Sequence, residues 1–188
     1  MKSIILEGIA TSGKTSVKNL LSKTLTEQNI NFSIFEESQT LMPVLNNSDK
    51  NTSLDFLKTV INQALSLQKD LIIFDRLFFS HIFRTKSTMS DYRDIEKLFD
   101  HQCFLAFLKI DETEIPQRIA KARIHRGQEW DNYVGKKGDI KQVNEYYIGQ
   151  QKQLLDLVNQ TTLTSKIYDT TTLDFEKIAQ DILTINKL

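Results

Sequence analysis

The chain is poor in the residues that mark stapled, fibrous or membrane-bound proteins. It has one cysteine, Cys103, so no disulfide framework can form, and one cysteine with three scattered histidines makes no zinc motif. Cys103 leads into Phe104-Leu105-Ala106-Phe107-Leu108 and reads as a buried apolar residue. There are only two prolines, Pro43 and Pro116, and the sequence shows no linker, low-complexity tract or internal repeat. Charge of neither sign is in excess: Lys plus Arg equals Asp plus Glu at 24 each, which argues against nucleic acid or an anionic membrane as partner. No apolar run approaches the ~20 residues of a bilayer span, and the N-terminus reads as strand and loop rather than a cleavable signal. A cytoplasmic protein is expected, its 188 residues forming one domain.

What is present is concentrated near the N-terminus. Gly8-Ile9-Ala10-Thr11-Ser12-Gly13-Lys14-Thr15, followed by Ser16, fits the phosphate-binding loop pattern G-x-x-x-x-G-K-[ST]. Ser3-Ile4-Ile5-Leu6 before it suits a buried strand, and Val17, Leu20, Leu21 and Leu25 after it recur at helical spacing. In such a loop Gly8 permits a sharp turn and Gly13 a close approach of backbone to polyphosphate. Successive N–H groups and the following helix dipole build the anion site. Lys14 is expected to reach the β- and γ-phosphates, and the Thr15 hydroxyl to ligate Mg²⁺.

The rest alternates. Asn31–Phe35, Leu71–Asp75, Cys103–Ile110 and Lys166–Tyr168 read as strands. Helical patterns run through Leu54–Leu65, Tyr92–Phe99, Ile115–Ala122, about Asp139–Asn159, and Leu173–Ile182. Alternation of this kind predicts an α/β fold of three layers around a parallel sheet, with ligands at the carboxyl ends of the strands. The strand-end residues are therefore the candidates for chemistry. Asp75 stands where an acid holds the water shell of Mg²⁺, and Arg76 can clamp a phosphate or carboxylate. Glu36 and Glu37 end the second strand, as site residues or as plain turn acids. Further on, Arg118, Lys121, Arg123, His125 and Arg126 precede Gly127, with Gly135 and Gly138 close behind. That stretch, about 123–138, reads as a lid over ATP or as a basic helix face. Phe78, Phe79 and Phe83 read as a base-stacking set or as core.

Together these residues resemble the thymidylate kinase and deoxynucleoside kinase group of P-loop kinases. Leu6-Glu7-Gly8 is similar to the opening in which E-G precedes the loop. Asp75-Arg76-Leu77-Phe78-Phe79-Ser80 is similar to the D/E-R-x-x-x-S element. Asp111-Glu112-Thr113-Glu114 with Arg118-Ile119 is similar to D-x-P-E-x-x-x-R-I, Thr113 replacing proline. Arg123, Arg126 and Glu129 fall where the group's lid cluster lies. The resemblance implies a five-stranded parallel sheet, ATP as donor, Mg²⁺, and γ-phosphoryl transfer to a nucleoside or nucleoside monophosphate; homodimers are usual. It also implies that Glu37 takes the acceptor hydroxyl proton, that Asp75 serves the metal and acceptor site, and that Arg76 contacts the acceptor. Ala10, Glu36, Ser38 and Leu77 depart from the group's pattern, which leaves the acceptor open.

Two other readings stand beside this one: a P-loop kinase for another small hydroxyl compound such as a sugar acid or antibiotic, and a regulatory protein that binds nucleotide without turnover. A GTPase switch is disfavoured because no N-K-x-D motif occurs.

Overall fold

The protein is described by a computed structural model covering residues 2–99 and 102–188. Strand β1 (Lys2–Glu7) feeds the glycine loop and helix α1 (Lys14–Glu27), and β2 (Phe32–Phe35) is followed by the one-turn helix α2 (Glu37–Thr40) and α3 (Lys50–Ser66). Then come β3 (Leu71–Asp75), α4 (Phe78–Thr85), the short α5 (Arg93–Lys97) and β4 (Cys103–Lys109). Helices α6 (Ile115–His125), α7 (Gln128–Gly135) and α8 (Ile140–Gln160) precede β5 (Thr164–Asp169) and α9 (Phe175–Ile185).

The five strands form one parallel sheet in the order β2-β3-β1-β4-β5, with Leu6 level with Asp75 and with Ala106. Burial on both faces explains why β1, β3 and β4 are almost continuously apolar. Ile4, Leu6, Leu71 and Ile73 pack toward α1 and α9, while Ile5, Ile72, Phe74 and Phe107 pack toward α3, α4 and α8. The chain leaves β1 toward β2 and leaves β3 in the other direction, toward β4. The loops after β1 and β3 therefore diverge, and the crevice opens between them at the strands' carboxyl ends.

The expected strands all form. Three helices went unread, the one-turn α2 (Glu37–Thr40) among them. Phe78–Thr85 is helical, with Phe78 and Phe79 fully buried and meeting edge to face at 5.0 Å, so these two are core and not a base-stacking surface. The stretch 123–138 contains a helix of its own, α7, between Gly127 (φ 82°) and Gly138 (φ 118°). Helix α8 starts where its cap dictates: the Asp139 side chain accepts from the Gln142 N–H while the Gln142 side chain returns to the Asp139 N–H. No helix among the described residues is long and apolar enough to cross a membrane.

Candidate active site

The glycine loop closes on itself. Gly8 (φ 143°) lies so near the β4 backbone that a Cβ would stand 2.5 Å from the Leu108 carbonyl oxygen. Gly13 (φ 93°) is required for a reason the sequence did not reveal: a Cβ there would meet the Phe175 ring of α9 at 2.2 Å. Thr11 also takes the left-handed conformation (φ 69°). The Thr11 and Ser12 hydroxyls are buried without a hydrogen-bond partner, and Lys14 Nζ donates to the carbonyls of Gly8 (3.0 Å) and Ile9 (2.9 Å). Burial pushes the Lys14 pKa down to about 7, with Arg76 adding to the shift and Glu37, Asp75 and Glu7 opposing it. Unmatched buried hydroxyls, a desolvated lysine and the N-terminal end of α1 fit an anion.

Arg76 follows β3 in the left-handed conformation (φ 64°), its N–H donating to the Leu6 carbonyl (3.0 Å). That turn aims the guanidinium back at the loop, where Nη1 donates to the Gly8 carbonyl (2.7 Å) and to Ser80 Oγ (3.3 Å). Nε lies 3.0 Å from Glu37 Oε1, an ion pair without hydrogen-bond alignment. Burial works to raise the Glu37 pKa, but Arg76 and Lys14 outweigh it and hold the carboxyl below its usual value. Of the two acids after β2, Glu37 therefore turns toward the loop. Glu36 pairs instead with Lys18, one turn beyond Lys14 on α1, and Lys18 Nζ also donates to Asp75 Oδ2 (2.8 Å). The other Asp75 oxygen, Oδ1, is buried without a partner.

Beneath these groups lies Glu7, fully buried at the end of β1. Its carboxylate accepts from the N–H groups of Leu77 (2.9 Å) and Ser80 (3.3 Å) and from the Ser80 hydroxyl (3.0 Å). It thereby satisfies the first turn of α4, and burial raises its pKa. The sequence offered Glu7 only as part of a family opening, and it gave no signal for Lys18 beyond the i, i+4 spacing from Lys14.

Two cavities meet over this platform. One, of about 420 Å³, is lined by Gly13, Lys14, Thr15, Ser16, Asp75, Arg118 and Phe175, among others. The second, of about 500 Å³, is lined by Leu41, Met42, Leu45 and Ser80 and by an aromatic set from α7 and α8: Trp130, Tyr133, Tyr146 and Tyr147. Ala10, Glu37, Arg76 and Arg126 line both. Arg126 also lies over Trp130, 5.2 Å from the ring centroid. Arg123 lines neither: it pairs with Asp131 of α7. Phe83 lies away from both, edge to face with Tyr146 at 5.9 Å. Sequence reading missed the aromatic set because its members are separated along the chain and come together only where α7 and α8 line one cavity.

Among the described residues, no three His, Cys, Asp or Glu side chains are arranged to hold a metal ion. Thr15 and the unpartnered Asp75 Oδ1 both border the smaller cavity. That donor set fits Mg²⁺ arriving with phosphates, which keeps most of its shell as water and phosphate oxygen, and not a protein-caged ion.

No family model matches the sequence, and no curated protein matches it. Solved structures do. The YorR protein of Bacillus subtilis, in complex with phosphorylated GDP, superposes with a TM-score of 0.70 at 21 % identity, over 100 % of this chain and 96 % of that one. Shikimate kinase from Bacteroides thetaiotaomicron gives 0.64 at 13 % identity, covering 100 % and 99 %. Deoxyadenosine kinase from M. mycoides gives 0.56 at 18 % identity, covering 99 % and 100 %. The chain shares the α/β fold of these structures, a five-stranded parallel sheet between helices. At these identities the likeness extends to architecture, and the chemistry rests on the residues.

Proposed function

We propose that this chain is an ATP-dependent phosphotransferase that moves the γ-phosphoryl group to a nucleoside or nucleoside monophosphate. One observation carries the reading: a cavity floored by the glycine loop and a cavity walled by aromatic residues share Ala10, Glu37, Arg76 and Arg126. Donor and acceptor in those two spaces would meet at the shared wall, where in-line transfer needs them. The aromatic wall favours a planar base over an aliphatic acceptor.

Each residue then has a task. The loop from Gly8 to Ser16 cradles the phosphates. Lys14 leaves the Gly8 and Ile9 carbonyls for the terminal phosphates and becomes fully charged there. Arg126 stands at the junction and stabilises charge on the moving group. Glu37, kept ionised by Arg76, accepts the proton when the acceptor offers a hydroxyl, and Arg76 holds the acceptor against it. Thr15 and Asp75 would hold Mg²⁺, which when bound would neutralise charge on the phosphate oxygens. Lys18 engages one oxygen of Asp75 and leaves the other for that task. The segment 123–138, flexing at Gly127 and Gly138, closes as a lid, with Arg126 as its working arginine.

Purified protein with ATP, Mg²⁺ and a panel of nucleosides and monophosphates tests the reading. ADP release that depends on one acceptor, and is lost in Lys14→Ala, supports it. Tight ATP binding with no acceptor-dependent turnover replaces it with a regulatory nucleotide-binding protein. Turnover only with a sugar acid or antibiotic replaces the acceptor class.

A further inference from the structure

The arginines divide by partner. Arg76, Arg93 and Arg123 each pair with a carboxylate. The remaining three, Arg84, Arg118 and Arg126, have no carboxylate partner among the described residues, and all three border the cavities. Arg118 belongs to the donor space and Arg126 to the junction. Arg84 has no task in the transfer reaction.

Its position is specific. The acceptor cavity shares Leu45, Arg84 and Tyr146 with a third cavity of about 730 Å³ and shares a different set with the donor cavity. Arg84 thus lies on a wall separate from the one where phosphoryl transfer would occur. Nη1 donates to the Leu45 carbonyl (2.9 Å) and Nη2 to the Tyr133 hydroxyl (2.8 Å), which fixes the guanidinium. A guanidinium carries five N–H donors and no acceptor, so further N–H groups remain available. Tyr133 accepts from Arg84 and so keeps its own proton to donate. This end of an aromatic-walled cavity therefore offers donors.

We infer that Arg84 reads the acceptor's base and selects a 6-oxopurine, guanine or hypoxanthine, over adenine. The inference rests on the nucleoside or nucleotide kinase reading. The oxygen O6 and nitrogen N7 of a 6-oxopurine are two acceptors side by side, which matches the arginine fork. Adenine replaces one of them with an amino donor that faces the guanidinium without a partner. Such a mismatch leaves a buried donor unpaired, a stronger source of discrimination than shape.

The test compares kcat/KM for guanosine, inosine and adenosine, and for their 5′-monophosphates, in the wild type, Arg84→Gln and Arg84→Lys. Wild type is expected to favour 6-oxopurines by ~10- to 100-fold, the range of one bidentate base contact. Glutamine presents a donor beside an acceptor, the pattern that suits adenine, so the ratio in Arg84→Gln should collapse or invert while the KM for ATP holds. Arg84→Lys keeps the charge without the fork and should lose the discrimination too. Equal loss for both bases, with the ratio intact, overturns the inference and reduces Arg84 to a brace for Leu45 and Tyr133. Transfer without base preference, or to a pyrimidine acceptor alone, overturns it and leaves the kinase reading standing; transfer to no purine or pyrimidine nucleoside or monophosphate takes that reading down too.

Discussion

Removing the Glu7 carboxylate should damage the protein far more than its place in a Glu-Gly pair before the loop suggests. The side chain is fully buried and accepts from two backbone N–H groups and one hydroxyl at the start of α4. In Glu7→Ala the Ser80 hydroxyl can turn elsewhere, but the Leu77 and Ser80 amides cannot. Each buried donor left without an acceptor costs ~1–3 kcal/mol, so the two amides account for ~2–6 kcal/mol. The buried guanidinium of Arg76 loses a neighbouring anion as well. A domain of this size has ~5–15 kcal/mol to lose, so the variant should be marginal or unfolded at 25 °C.

Glu7→Gln separates hydrogen bonding from charge. Its amide oxygen can still accept from both backbone groups and its NH₂ can donate to Ser80 Oγ. It should therefore retain most of the stability while Arg76 loses one neighbouring anion and keeps its pair with Glu37. Urea unfolding followed by circular dichroism reads both variants, as a fall in midpoint at constant slope. If Glu7→Ala loses less than ~1 kcal/mol, the carboxylate does not anchor α4 and the reasoning fails. If glutamine is as harmful as alanine, charge and not hydrogen bonding is the anchor.

Three further outcomes are expected. His81 is buried, with Nε2 against the Thr40 carbonyl (2.8 Å) and Nδ1 against Ser53 Oγ (2.7 Å), and burial pushes its pKa down to about 4. Between pH 6.5 and 4 the unfolded chain then holds the proton that the folded one refuses, so stability should fall by up to about 3 kcal/mol on acidification; urea midpoints in His81→Gln should lack that component, and identical pH profiles would refute it. Gly13→Ala places a Cβ into the Phe175 ring at a left-handed φ and should cost ~2–4 kcal/mol. Adding Phe175→Ala should relieve the clash but not the backbone strain; a double variant as stable as Phe175→Ala alone would show that φ is not limiting. Arg126→Ala should lower kcat by ~10- to 1000-fold, while Arg123→Ala, whose partner is Asp131, should change thermal stability and leave kcat within a few-fold.

The sheet was legible in the sequence because parallel strands buried on both faces are written as apolar runs, as in Leu71–Asp75 and Cys103–Lys109. The glycine loop was legible because Gly8 and Gly13 take φ angles that favour glycine and stand at a fixed spacing before Lys14 and Thr15. Helix α4 was not: Phe78, Phe79, Ile82 and Phe83 do recur at helical spacing, but eight residues are too few for that spacing to separate a helix from a buried strand or loop. The candidate site was legible at strand ends, and there in part. Asp75 and Arg76 could be named, yet which oxygen of Asp75 is engaged depends on Lys18, 57 positions earlier.

The same limit applied to the basic stretch after β4. In one dimension Arg118, Arg123 and Arg126 are equivalent cations on successive turns. In the fold, Asp131 pairs with Arg123, backbone carbonyls of Thr170 and Thr171 hold Arg118, and Arg126 is left over Trp130 at the junction of two cavities. A cation already matched by a carboxylate gains little from a phosphate, because binding must first break the existing pair. An unmatched one has no such pair to break. Residue type therefore sets which side chains can do the chemistry, and pairing across the fold decides which of them are free to do it.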